Sequence, residues 1–110
     1  MVLKNSIIFS FLVSLTFACQ ESAQQQDHFT KQTPAEQGAS LYSMHCAQCH
    51  GEDGKLGASG AKNLSTSRLS DQQMLHIIKK GKGAMPSMEA LLETDRNLNL
   101  VISHLKGLRR

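Results

Sequence analysis

Residues 46–50 read Cys-Ala-Gln-Cys-His, and this run constrains the chain more than any other feature. Two thiols stand three positions apart and an imidazole follows at once. That order is the one used for covalent haem attachment. Cys46 and Cys49 add to the two vinyl groups of one porphyrin, and His50 then lies under the ring as an iron ligand. Two other readings compete. A redox dithiol of this spacing usually sits beside a β-α-β pattern, and none is visible. A zinc site needs four protein ligands, often from two paired clusters, and no second pair exists in the chain. There is one attachment run, so one haem c is expected.

A covalent porphyrin also answers a problem of size. The part of the chain that reads as a folded domain, 34–110, is too short to bury much surface unaided and needs a staple. A large apolar plate supplies one. The single Tyr and the absence of Trp fit a core built partly from the porphyrin itself.

The N-terminus has a different character. Lys4 gives a positive start, and 7–17 is apolar apart from Ser10, Ser14 and Thr16. Such a run is short of the ~20 residues that span a bilayer and suits the apolar region of a signal peptide over 1–18. Ala18 is small, and Cys19 follows it directly. This resembles the bacterial lipoprotein signal, in which the cysteine becomes the acylated first residue. Leu15 stands one place early for it, with Thr16 and Phe17 before Ala18. The competing reading is an ordinary secreted chain with Cys19 removed or left free. Residues 19–33, with three consecutive glutamines and no apolar period, read as a flexible tether. His28 in it is a bystander.

The domain reads as helical throughout. Pro34 opens a first helix, with Leu41 and Tyr42 on its way to the cysteines. Gly38 costs ~1 kcal/mol against alanine in mid-helix, which implies that another helix approaches closely there. Residues 51–64 carry four glycines and form a loop. Ser70 and Gln73 form a capping box, Met74, Leu75, Ile77 and Ile78 follow on one face, and Gly81 stops that helix. Thr94 or Asp95 caps the last helix. There Leu98, Val101, Ile102 and Leu105 fall at i, i+3, i+4 and i+7, a buried stripe. Gly107 ends it.

The second iron ligand is expected from Gly81-Lys82-Gly83-Ala84-Met85-Pro86. Two glycines let the backbone approach a flat ring, and Pro86 directs the chain beyond Met85. A thioether opposite histidine favours ferrous iron. Met44, Met74 and Met88 read as core filler.

From about Gly38 to Leu108 the chain resembles the small monohaem class I cytochromes c. The resemblance rests on Gly38 and Tyr42 before Cys46-x-x-Cys49-His50-Gly51, on Asn63-Leu64, on Leu69-Ser70-Asp71, on the run ending Met85-Pro86, and on the final helix. It implies an all-α fold, with three to five helices around one covalent haem c. It also implies first and last helices crossing near Gly38, and His50 and Met85 as axial ligands. Three positions depart from the pattern. Lys62 replaces a frequent proline, whose carbonyl orients the haem histidine in the family. His104 stands where an aromatic often faces the first helix, and is read as a packing residue. Met88 stands where an aromatic often follows Met-Pro.

Other residues have plainer readings. His45 shares a helix with Cys46 and so is placed on a different face, and His76 is placed in solvent. The formal charge of +3 is too slight and scattered for a nucleic-acid ligand. Lys79, Lys80 and Lys82 read either as a solvated helix end favoured by the dipole or as a basic collar that steers an acidic redox partner. Two strong ligands leave no open iron position, so the chain is expected to carry electrons rather than act as an enzyme. It would work as a monomer exchanging electrons with an oxidase, reductase or dehydrogenase, on the periplasmic side of a membrane that holds it through Cys19. The rivals are a sensor or enzyme in which Met85 yields to oxygen or nitric oxide, and a fixed cytochrome subunit of an oxidoreductase complex.

Overall fold

Why do the described residues form helices and no strand? The three longer helices each start where a side chain satisfies a free backbone amide. The structure, a computed structural model, describes residues 31–110, so the expectations for the signal peptide, the tether before residue 31, His28 and Cys19 lie outside the described residues. Helix α1 (Pro34–His45) is capped by Thr33. Its hydroxyl accepts from the Glu36 amide, and the Glu36 carboxylate accepts from the Thr33 amide at 2.7 Å. Helix α2 is a single turn, Ala47–His50. Helix α3 (Asp71–Lys80) begins at the expected Ser70 and Gln73 capping box. Helix α4 (Glu89–Leu92) is one turn, and α5 (Asp95–Gly107) is capped by Thr94, whose hydroxyl accepts from the Asn97 amide. A 3-10 turn, Ala58–Gly60, interrupts the glycine-rich loop. Among the described residues there is no strand, only an isolated bridge between Lys82 and Met85. The fold is all-α.

The core is the expected stripe of α5 (Leu98, Val101, Ile102, Leu105), met by Leu41 and Tyr42 of α1, Met74 and Ile78 of α3, and Leu92. Burying one large aliphatic side chain contributes ~1.5–3 kcal/mol. Helices α1 and α5 cross at Gly38. A Cβ there would lie 2.5 Å from the Leu100 carbonyl oxygen, so only glycine permits the crossing. Beside it the Tyr42 and His104 rings pack with centroids 4.8 Å apart, tilted by 40°. His104 is thus the inter-helix packing residue that the sequence implied. The Tyr42 hydroxyl donates to the Gly51 carbonyl at 2.6 Å, which ties the crossing to the residue after His50. Burial first, then Cys46, Glu52 and Asp53, push the Tyr42 hydroxyl up to about 12, so it remains a donor at neutral pH.

Two expectations fail here. Met44 is not core filler: it is 67% exposed. The buried face of α1 runs through Gln37, Gly38, Leu41 and Tyr42, and Met44 lies two residues past that stripe. His45 does not point away from the cysteines' surroundings. Helix α1 ends at His45, Cys46 turns the chain at φ −119° and ψ −37°, and His45 lines the same cavity as Cys46. Adjacent residues part faces only while a helix continues.

Candidate cofactor site

The short turn of α2 places Cys46, Cys49 and His50 along one wall of a cavity of about 660 Å³. Cys46 is half-buried, Cys49 is exposed, and no disulfide joins them. Burial pushes the Cys46 thiol up to about 11, the reverse of the lowered value that marks a thiolate nucleophile or redox dithiol. Among the described residues no group of three or more His, Cys, Asp or Glu side chains is set to hold a metal ion. A zinc centre made by the protein alone therefore does not fit this run.

His50 is oriented by its loop. Its Nδ1 lies 3.0 Å from the Lys62 carbonyl. With Nδ1 assigned as the donor, Nε2 is left as a metal ligand. Lys62 keeps the carbonyl that the resemblance called for, although proline is absent. The loop folds back through further backbone bonds: Leu56 donates to the His50 carbonyl at 2.8 Å, and Leu64 to the Gly54 carbonyl at 2.7 Å.

Met85 lines the same cavity from a tight turn after α3. The Lys82 amide donates to the Met85 carbonyl at 3.0 Å and the Met85 amide to the Lys82 carbonyl at 3.1 Å. Gly81 makes the turn possible. Its φ is +76°, and a Cβ would lie 2.5 Å from the Met85 carbonyl oxygen. The turn is pinned to the end of α3 by two more bonds, Ser87 hydroxyl to Lys79 carbonyl at 2.5 Å and Met88 amide to Ile78 carbonyl at 2.9 Å. Met85 and Met88 are both half-buried, and both line the cavity. Met88 stands at the N-cap of α4.

The remaining lining tests the fit of a porphyrin. Leu64, Met74, Ile77, Ile78, Val101 and Leu105 give an apolar interior suited to a flat hydrophobic ring. Lys62, Arg68, Lys82 and Arg109 also line it, and among the described residues no lining side chain carries a carboxylate. An apolar plate bearing carboxylates at its edge suits such a wall, so the residues present fit haem c.

The basic collar differs from the sequence reading. Lys79 pairs with Asp95 at 2.9 Å and with Glu89 at 3.9 Å, and Lys80 pairs with Glu89 at 3.4 Å. The hydrogen bond to Asp95, ahead of other causes, raises the Lys79 amine above its ordinary value. Of the three expected lysines only Lys82 reaches the cavity. Lys62, Arg68 and Arg109 join it there, and sequence reasoning missed them as a group because the loop before α3, the turn after it and the chain beyond α5 meet only in the fold. His76 is exposed, as expected.

Comparison with known proteins agrees with this geometry. The family model described as cytochrome c oxidase, cbb3-type, subunit III matches residues 33–105. No curated protein and no solved structure matches the chain.

Proposed function

We propose that this chain, which belongs to the small class I c-type cytochromes through the family described as cytochrome c oxidase, cbb3-type, subunit III, carries one haem c with His50 and Met85 as axial ligands. A cytochrome c domain binds haem c and serves electron transfer. Haem c supplies an iron that gains and loses one electron. The chain's own residues do the rest. Cys46 and Cys49 hold the porphyrin as thioethers. The Lys62 carbonyl keeps the His50 ring in one tautomer and orientation. The turn closed by Lys82 and Met85 presents the thioether. Two protein ligands on one iron leave no vacant position, which favours an electron carrier over an enzyme.

One observation supports this reading most. Met85 is remote in sequence from Cys46, Cys49 and His50, yet all four line one apolar cavity. The test is extraction of the denatured holoprotein with acidified organic solvent. The porphyrin should stay with the chain, and its release would show that the attachment is not covalent.

The partners are redox proteins. Lys62, Arg68 and Lys82 are exposed around the cavity mouth and would meet an acidic partner surface. A second reading, a fixed subunit of an oxidase complex, is favoured by the description of the matching family. Co-purification from native membranes separates a resident subunit from a monomeric shuttle. For the N-terminal region the reading remains a signal peptide over 1–18, acylation at Cys19, a tether to residue 33 and a cytochrome domain over 34–110. That arrangement would hold the domain at the periplasmic side of a membrane. Among the described residues no helix is long and apolar enough to cross one. Mass spectrometry of the mature chain should find a lipid on Cys19. A mature N-terminus beyond Cys19 without lipid would end the anchoring proposal.

A further inference from the structure

Arg109 lies just beyond α5, and its side chain turns back to line the cavity. Its Nη2 donates to the Leu69 carbonyl at 2.8 Å and to the Met74 sulfur at 3.0 Å. Its Nε is buried without a hydrogen-bond partner among the described residues. The neighbouring backbone holds the tail in place, with the Arg110 amide donating to the Ser65 carbonyl at 3.2 Å. Lys55, Lys79, Lys80 and Lys106 each meet a carboxylate, and Arg109 meets none among the described residues.

A cation partly removed from water without a counter-charge is costly. The three other cations lining the cavity, Lys62, Arg68 and Lys82, are exposed, and water stabilises them. Arg109 is half-buried. Among the described residues the cavity wall offers it no carboxylate, and the occupant supplies one. Haem c carries two propionate groups, and a guanidinium fork matches a carboxylate in charge and shape. We propose that Arg109 receives a carboxylate of the bound porphyrin, and that this pair helps set the iron's preference for the ferrous state. The proposal rests on the haem reading above. A carboxylate deprived of its counter-charge near the iron favours ferric over ferrous, and it also takes up a proton more readily.

The test is the reduction potential of the holoprotein between pH 5 and 8, for wild type, Arg109→Gln, Arg109→Lys and Lys106→Gln. Arg109→Gln should move the equilibrium toward ferric by on the order of tenfold, which is about 59 mV for one electron. It should also add a segment in which the potential falls as pH rises. His45, Lys62, Arg68 and Lys82, which line the cavity, and His104 behind Tyr42 are common to all four proteins, so the difference between profiles isolates the carboxylate. Arg109→Lys keeps the charge without the fork and should shift the potential in the same direction by less. Lys106→Gln, in the last turn of α5 and outside the cavity lining, should leave the profile unchanged. If Arg109→Gln retains covalent haem and the wild-type potential at every pH, the proposal is overturned. If that variant does not accumulate, Arg109→Lys decides: a profile identical to wild type overturns it equally. Failure of the haem reading would show separately, as porphyrin extracted from the wild-type protein.

Discussion

The two residues proposed to bind iron are held in different ways. His50 is fixed through its own side chain: Nδ1 meets the Lys62 carbonyl at 3.0 Å, and the next residue is tied by Tyr42 to the buried crossing of α1 and α5. Met85 is fixed only through backbone. Its turn is closed by two bonds to Lys82, and residues 82–84 are exposed. A thioether is a weak acceptor that needs no orienting partner, so the methionine side relies on the shape of one turn. The histidine side shares the stability of the core. The methionine side should therefore be the one that yields first.

The largest expected effect breaks the histidine side through the crossing. Gly38→Ala would place a methyl group against the Leu100 carbonyl, backbone that cannot step aside. It should destabilise the holoprotein by about 1–3 kcal/mol or more, measured by denaturant unfolding with the haem absorbance as probe. An unchanged midpoint would show that the helices can part at no cost.

Next comes the methionine side, where fold and ligation should separate. Met85→Ala should lower the reduction potential strongly while the helical circular dichroism stays near that of wild type. Met88→Ala should change the potential little and cost mainly packing. A half-buried side chain loses less than the ~2–5 kcal/mol of a fully buried methionine. A large drop in potential for Met88→Ala with none for Met85→Ala would reverse the assignment. Gly81→Ala sharpens the contrast, because it strains the turn and leaves both sulfurs in place. It should weaken methionine ligation, seen as loss of the near-infrared ferric charge-transfer band, with the histidine side intact.

A smaller effect involves His104. Burial lowers its imidazole below the ordinary 6.5, with Glu52 opposing more weakly, and its Nε2 has no partner among the described residues. The unfolded chain therefore binds the proton more readily than the folded one. The stability linked to neutral His104 is present in full above pH 6.5 and is lost as pH falls through the lower folded value. His104→Phe, which keeps a ring against Tyr42, should flatten the thermal midpoint between pH 7 and 5. An acid slope equal to that of wild type would assign the loss to other groups.

The smallest effect is kinetic. Lys82→Glu should slow electron exchange with an acidic partner, most at low ionic strength, and leave the unfolding midpoint in place. Lys80→Glu should slow it less, since Lys80 is engaged by Glu89.

Much of this was legible in the sequence, and the reason is locality. The capping box of Ser70 and Gln73, the α5 stripe and the glycine at residue 81 all act within a few residues, where chain geometry is nearly settled. Gly38 was legible because a glycine in mid-helix weakens that helix unless a neighbour must pass close to its backbone. What was not legible depends on distant segments or on a single bend. Lys79 and Lys80 have the look of a free collar in the sequence, but Glu89 and Asp95, on later helices, fold beside them. His45 was misplaced because the end of α1 at Cys46 carries no sequence signal apart from the attachment run itself. Arg109 follows the last helix, where no periodic pattern remains to say that its side chain turns back to the cavity.

The central claim is that His50 and Met85 both occupy the iron of one covalently held haem. Exposure of the reduced wild-type holoprotein to carbon monoxide tests it most directly. The account predicts an absorption spectrum unchanged by the gas at neutral pH, with a shift appearing in Met85→Ala. Rapid, complete formation of a carbon monoxide adduct in the wild type would contradict it and point instead to a haem that binds small ligands.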